Sequence, residues 1–293
     1  MIGVLDLSES RIRLAAARDQ CDELLAVFKG WMASDGIAVV TVRDPQFVHY
    51  SWQVRVTNPP TKNLPLMTGE IINNVRSALE YLAFQIYLKA GSPDGKKAGS
   101  VAFPILNTPG SWDSVVKKKV PGVWAEAADR LKAAQPFSQH GEDVHALPTL
   151  RGLGGTDKHR NLVLCAAAAW SVGAVGPKGP GFGVQMRMNR ADGDLDKGLV
   201  VPIVPGTAVE VAAVFAYPDP KPFHDSVMKW TSEIAFHEPP PPDVDFGFRA
   251  NNGVEISLFG LPDLVDHVIS IVETFDDLPG PPPSPETDDA SHD

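Results

Sequence analysis

Four ionisable residues stand in a row at Asp157-Lys158-His159-Arg160, behind Gly154-Gly155-Thr156 and ahead of the apolar run from Leu162. His159 is the one side chain of the four that titrates near neutral pH, so it alone could move a proton there. Asp157 has the side chain of a helix cap and follows a glycine turn. Successive residues point to different sides, so at most two of Lys158, His159 and Arg160 can serve one site. A second polar set lies upstream. Asn73, Arg76, Ser77 and Glu80 are spaced three and four apart within MTGEIINNVRSALEYLAFQIYLK, and on a helix that spacing puts them on one face. If that face is buried, Arg76 and Glu80 need each other or another charge, because an unpaired buried charge is very costly. Glu80 and Asp157 against Arg76 and Arg160 make a nearly neutral set. The expectation is that the 157–160 cluster meets the 67–89 helix in one site, with Arg76 and Glu80 nearest.

Other chemistry finds little purchase. The run GLGGTDK lacks the spacing of a phosphate loop, and there is no G-x-S-x-G elbow. The eight histidines show no H-x-x-x-H pair and no pairing with cysteine, so no metal and no other cofactor is expected. Lys117-Lys118-Lys119, between Trp112 and Trp124, could contact phosphate, although a solvated charge run is the commoner reading. Cys21 and Cys165 sit among apolar residues and read as buried, reduced thiols rather than a disulfide framework.

The elements that must position these residues follow from periodicity. A helix is predicted over 9–33, capped by Ser8 and ended by Ser34-Asp35-Gly36, with Leu14, Ala17, Cys21, Leu24, Phe28 and Trp31 on its apolar face. A short β run at GIAVVTVRDP precedes a strand in which Val48, Tyr50, Trp52, Val54 and Val56 alternate with polar residues. That alternation argues an antiparallel pair with one buried and one wet face, Trp52 inward and Gln53 outward. The long helix 67–89 has Ile71, Val75, Ala78, Leu79, Leu82 and Ile86 on its core side. Short helices are expected near 111–118, 123–134 and 143–151. From about 162 the pattern turns to β, ending in a hairpin at DVDFGFRANNGVEISL and a helix after Gly260-Leu261-Pro262.

This order predicts an α+β fold with a helical layer packed on antiparallel sheet. The expected organisation is a mainly helical part with one hairpin over 1–160, a β-meander with a closing helix over 161–278, and a disordered, Pro-rich acidic tail over 279–293. The 293 residues are 43% hydrophobic and 21% charged, which is the globular range. The net charge is −10, but seven acids and no Lys or Arg fall in 273–293, which leaves the rest near −3. A general nucleic-acid binder would show a basic excess instead. No signal sequence and no membrane span are read from the sequence, so a soluble cytoplasmic protein without a membrane partner is expected.

The combination of GEIINNVRSALEYLAFQI, the Phe-Pro-Ile at 103–105, the Gln-Pro-Phe at 135–137 and Asp-Lys-His-Arg resembles a family of uncharacterised bacterial and phage proteins. Its members read N-L-R-S-A-L-D-H-L in the helix and D-K-H-R later, and the likeness covers roughly 65–165. The helix also resembles the Arg-then-four-then-His signature of HEPN domains. That resemblance implies a helical, metal-independent RNase of phage–host conflict, commonly a homodimer, with the arginine on phosphate and the histidine moving a proton. Arg76 matches the arginine, while Tyr81 stands at the histidine position, so the imidazole would have to come from His159.

Two functions are therefore carried forward. One is a binding or assembly protein whose charged residues organise a pocket or interface toward an unknown protein partner or RNA, with Asn73, Glu80, Tyr81, Asp157, Lys158 and Arg160 as binding residues. The alternative is the HEPN-like RNA-directed nuclease, with Arg76 and His159 catalytic.

Overall fold

A computed structural model describes residues 5–44, 49–91, 95–139, 146–154, 162–169, 182–188, 199–203, 206, 208–218, 243–250 and 252–282. The fold is α+β. It divides into two compact units that are not consecutive stretches: 1–20, 70–158 and 262–293 form one, and 21–69 and 159–261 the other. Helices α1 (Ser8–Ala33) and α2 (Leu64–Lys89) each contribute residues to both.

The first unit is helical. It holds the start of α1, most of α2, the short α3 (Gly95–Ala98), α4 (Trp112–Lys119), α5 (Ala125–Ala133), α6 (Ala146–Leu153) and α7 (Leu261–Glu273) from Pro262 on. The cap of α1 is Asp6 rather than the expected Ser8. The Asp6 carboxylate accepts the Ser8 backbone N–H at 3.1 Å and the Ser8 hydroxyl at 2.6 Å. Those two hydrogen bonds hold its pKa below the ordinary aspartate value. Helix α2 begins three residues before the apolar periodicity does, because Asn63 Oδ1 accepts the Leu66 N–H at 3.2 Å. Pro65 is tolerated in a first turn, where its missing N–H has no intrahelical partner to lose. The core side of α2 is as expected: Ile71, Val75, Ala78, Leu79, Leu82 and Ile86 are all fully buried. Ser10 Oγ donates to the Ala78 carbonyl at 2.9 Å, which ties α1 against α2. The turn after α7 is docked too. Phe275 and Leu278 are buried, Arg130 bonds the Thr274 carbonyl and Asp277, and Arg11 bonds Asp276.

The second unit carries two antiparallel sheets. Strands β1 (Ile37–Asp44), β2 (His49–Val56), β6 (Ala208–Pro218) and β4 (Phe182–Met188) form one in the order β1-β2-β6-β4. Strands β5 (Leu199–Pro202), β3 (Val163–Ala169), β7 (Asp243–Arg249) and β8 (Glu255–Ser257) form the other in the order β5-β3-β7-β8. Among the described strands, only β1–β2 and β7–β8 are consecutive neighbours, so their order is interleaved and not that of a meander. Trp52, Val54 and Val56 are buried, as the alternation requires, while Gln53, expected in solvent, is half-buried. Ser51, expected on the wet face, is buried as well. The β2–β6 register shifts between Trp52 and Gln53, and such an irregularity breaks strict two-face alternation.

The end of α1 packs on the second sheet, with the Phe28 and Phe246 rings 5.1 Å apart and tilted. Trp31 meets Phe28 edge-on and donates its indole N–H to the Asn58 carbonyl at 2.7 Å. The helix stops through a left-handed Asp35 (φ 56°) and a bond from the Gly36 N–H to the Trp31 carbonyl at 3.0 Å. A Cβ at Gly36 would stand 2.2 Å from the Trp31 ring, so the Ser-Asp-Gly stop is also a packing requirement. In the β7–β8 turn, Gly253 takes the positive φ of 82° that Asn-Gly predicts. No helix among the described residues is long and apolar enough to cross a membrane.

Candidate functional site

The polar stripe of α2 is built around an extended segment, Val101–Leu106, which contains the Phe-Pro-Ile of the sequence. Phe103, Pro104 and Ile105 are buried there. A buried chain without a strand partner must satisfy its peptide groups elsewhere, and here side chains do it. Glu80 Oε2 accepts the Phe103 N–H at 2.8 Å. Arg76 Nη2 reaches the Phe103 carbonyl at 3.5 Å, a long and weak bond, and forms an i,i+4 ion pair with Glu80 Oε1. Pro104 has no N–H to place. Arg151 of α6 donates to the Ile105 carbonyl at 3.1 Å. Gln135, fully buried, accepts the Leu106 N–H at 3.0 Å and donates to the Leu131 carbonyl of α5 at 2.9 Å. The backbone of Ala102 donates to the Lys119 carbonyl at 3.0 Å, at the end of α4.

Three of the four stretches noted in the sequence thus converge: the arginine and glutamate of α2, Phe-Pro-Ile, and the glutamine of Gln-Pro-Phe. Each guanidinium, carboxylate or amide meets main chain. Arg76 and Glu80 are only partly exposed, at 21% and 33% of the side chain. Their mutual pairing, required by the burial argument, is present.

The other expected members of the site are distributed differently. Asn73 is exposed. Its neighbour Asn74, which sequence reasoning passed over, is buried; it accepts from Arg13 at 3.2 Å and donates to Gln20 Oε1 at 2.9 Å. Adjacent helix positions differ by about 100°, enough to carry Asn74 from the polar stripe to the α1 side. Tyr81 is half-buried, with the Arg13 guanidinium 6.0 Å from its ring centroid, at the outer range of a cation–π contact. Asp157, Lys158, His159 and Arg160 lie outside the described residues, so the meeting of that cluster with Arg76 and Glu80 stays an expectation. Among the described residues, no group of three or more His, Cys, Asp or Glu side chains is placed to hold a metal ion.

Cys21 and Cys165 form no disulfide and both are buried. Burial pushes the Cys165 thiol up to about 11, and the negative charge of Glu255 adds to the shift. That suits a structural cysteine and not a nucleophile. A stripe at helical spacing runs along the outside of α2 through Asn73, Ser77, Tyr81, Phe84 and Leu88; the first and last are exposed and the others half-buried. No family model, no curated protein and no solved structure matches the chain.

Proposed function

We propose that the chain is a binding or assembly protein whose charged residues on α2 organise an interface, without turnover of a substrate. The observation that supports this most is the engagement of Arg76 and Glu80 with each other and with the peptide groups of Phe103. An arginine that holds a substrate phosphate needs donors aimed at open space, and a catalytic carboxylate needs a reachable proton. Here the pair closes a structural contact inside its own unit. What α2 offers outward is the stripe from Asn73 to Leu88, with Tyr81 and Phe84 at its centre. Half-exposed aromatics flanked by polar residues are the composition of a protein-facing patch.

The test compares wild type with Arg76→Ala and Leu88→Asp. Incubated with fluorescent single-stranded RNA, wild type should leave the RNA intact. Arg76→Ala should lower the unfolding midpoint, and Leu88→Asp should change the mass by light scattering while leaving that midpoint unchanged. RNA cleavage by wild type that Arg76→Ala abolishes would replace this reading with the HEPN-like nuclease. A mass unaffected by Leu88→Asp and equal to the 31.5 kDa of one chain would remove the stripe as a self-assembly surface.

A further inference from the structure

Most arginines of the helical unit hold a carboxylate. Arg11 pairs with Asp276, Arg18 with Asp266, Arg76 with Glu80, and Arg130 with Glu126 and Asp277. Arg13, half-buried on α1, is held by neutral groups instead. One of its N–H groups goes to Asn74 Oδ1 at 3.2 Å, and its guanidinium carbon lies 6.0 Å from the centroid of the Tyr81 ring. Asn74 is buried, and its own amide donates to Gln20 Oε1 at 2.9 Å. That second bond fixes which end of the amide faces Arg13, so the guanidinium is positioned without being neutralised. Among the described residues no carboxylate pairs with it, and Glu9, one turn earlier on α1, is exposed. The facing turns of α2 add donors. Asn74, Ser77 and Tyr81 stand three and four residues apart, so Ser77 sits between the two residues that Arg13 meets. Ser77 and Tyr81 are half-buried, and among the described residues neither hydroxyl has a hydrogen-bond partner. All of these residues belong to the one helical unit.

We infer that Arg13, Ser77 and Tyr81 form a receptor for one carboxylate, carried by an acidic side chain of a protein partner that also lays an apolar side chain on Phe84 and Leu88. This rests on the reading of α2 as an interface and names the chemistry of what binds there. Charge decides the class of anion. One guanidinium among neutral groups matches a single carboxylate, whose two oxygens fit the planar fork of N–H donors that Asn74 leaves open. A polynucleotide brings a run of charges and needs a basic track, and Arg76, the next cation along α2, is already taken by Glu80. The acid must bring other contacts with it, because a partly exposed ion pair alone contributes little. Phe84, half-buried, and Leu88, 49% exposed, supply them one and two turns beyond Tyr81. From Tyr81 to Leu88 the helix advances about 10 Å, a span that about three residues of an extended segment cover.

The experiment measures fluorescence anisotropy of two labelled peptides with the full chain. One repeats Glu-Ser-Ser-Leu; the other repeats Gln-Ser-Ser-Leu. Wild type should bind the glutamate peptide about tenfold tighter, the difference that one charge-assisted hydrogen bond supplies. Arg13→Gln should erase that preference, and Arg13→Lys, which keeps the charge but not the fork, should restore only part of it. Ser77→Ala and Tyr81→Phe should each reduce it severalfold with an unfolding midpoint equal to that of wild type. Equal binding of the two peptides by wild type, no binding of either included, would overturn the receptor. So would a preference that survives Arg13→Gln. Leu88→Asp separates this from the interface reading. If it alters the mass by light scattering while Arg13→Gln leaves peptide binding unchanged, the interface stands and the receptor falls. If Arg13→Gln erases the preference while Leu88→Asp changes neither mass nor peptide affinity, the receptor stands without the apolar stripe. Binding of a fluorescent oligouridylate that Arg13→Gln abolishes, with no preference between the peptides, would replace the carboxylate by a nucleic-acid phosphate.

Discussion

Glu80 Oε2 accepts the backbone N–H of Phe103 at 2.8 Å, while Oε1 of the same carboxylate pairs with Arg76. The two contacts separate by substitution. Glu80→Ala removes both and leaves the N–H of a buried residue without an acceptor. The cost should be about 1–3 kcal/mol. Glu80→Gln keeps an oxygen for Phe103 and loses only a partly exposed ion pair, which is worth about 0.2–1 kcal/mol. Urea unfolding midpoints should therefore rank wild type, Gln, Ala. Equal losses for Gln and Ala would mean the ion pair, not the backbone bond, holds the segment.

Gln135 carries the larger stake because it is fully buried and uses both ends of its amide. Gln135→Ala should cost about 2–4 kcal/mol, from a lost donor, a lost acceptor and a small cavity. Gln135→Glu tests the donor alone. Ionised, the carboxylate still accepts from Leu106 but faces the Leu131 carbonyl without a proton. Burial should raise its folded pKa above the ordinary value near 4.3. The contribution of this variant's side chain is then fully present below that value and lost as the pH rises through the folded pKa. Relative to wild type, the variant should gain stability between pH 7 and pH 5 in urea titrations. A gap that does not change with pH would show that the carboxyl stays solvated.

The pattern of residues revealed the elements more readily than their partners. Helix α2 and its buried face were legible because Ile71, Val75, Leu79, Leu82 and Ile86 repeat at 3.6. The Arg76–Glu80 pair was legible because i,i+4 is a local spacing. Phe103 as their shared target was not, since a side chain meeting a peptide group 23 or 27 residues away leaves no periodic trace. Gln135 stood out only as part of the Gln-Pro-Phe at 135–137; a buried amide can be recognised as structural once its two peptide partners are known. Asn74 escaped because it sits where the polar stripe turns toward α1. In the sheets, Trp52 and Val54 showed their inward face, but the pairing of β2 with β6 and of β3 with β7 is set by tertiary packing over long separations.

Cys165 should be inert in the native chain. With its thiol raised to about 11 by burial, almost none is thiolate at pH 8. A chromogenic disulfide reagent should find no fast-reacting thiol in native protein and both Cys21 and Cys165 after unfolding. The sign for stability follows from the same shift. Above the ordinary value of 9.0 the unfolded chain ionises first, so stability falls as the pH rises from about 9 to about 11. Cys165→Ala should flatten that part of the pH profile relative to wild type. An identical fall in both would assign it to other groups.

The C-terminal turn marks the last part of the chain that the helical unit needs. Phe275 is fully buried and Leu278 nearly so. Between them Arg130 holds the Thr274 carbonyl and Asp277, and Arg11 holds Asp276. The hydrogen bond from Arg130, and then its charge, keep the Asp277 carboxyl below the ordinary aspartate value. Asp277 and Asp276 are exposed, so apolar burial at 275 and 278 should dominate. Phe275→Ala should cost about 3–5 kcal/mol, as large core truncations do. In a chain of this size, where each kcal/mol shifts the midpoint by roughly 2–4 °C, calorimetry should show a fall of about 10 °C. Ending the chain at Leu278 removes residues 279–293, which contain no large apolar side chain, and should leave the midpoint within about 2 °C on the same scale. A large drop on that shortening, with little effect from Phe275→Ala, would invert the assignment. The stabilising contact would then lie beyond residue 278.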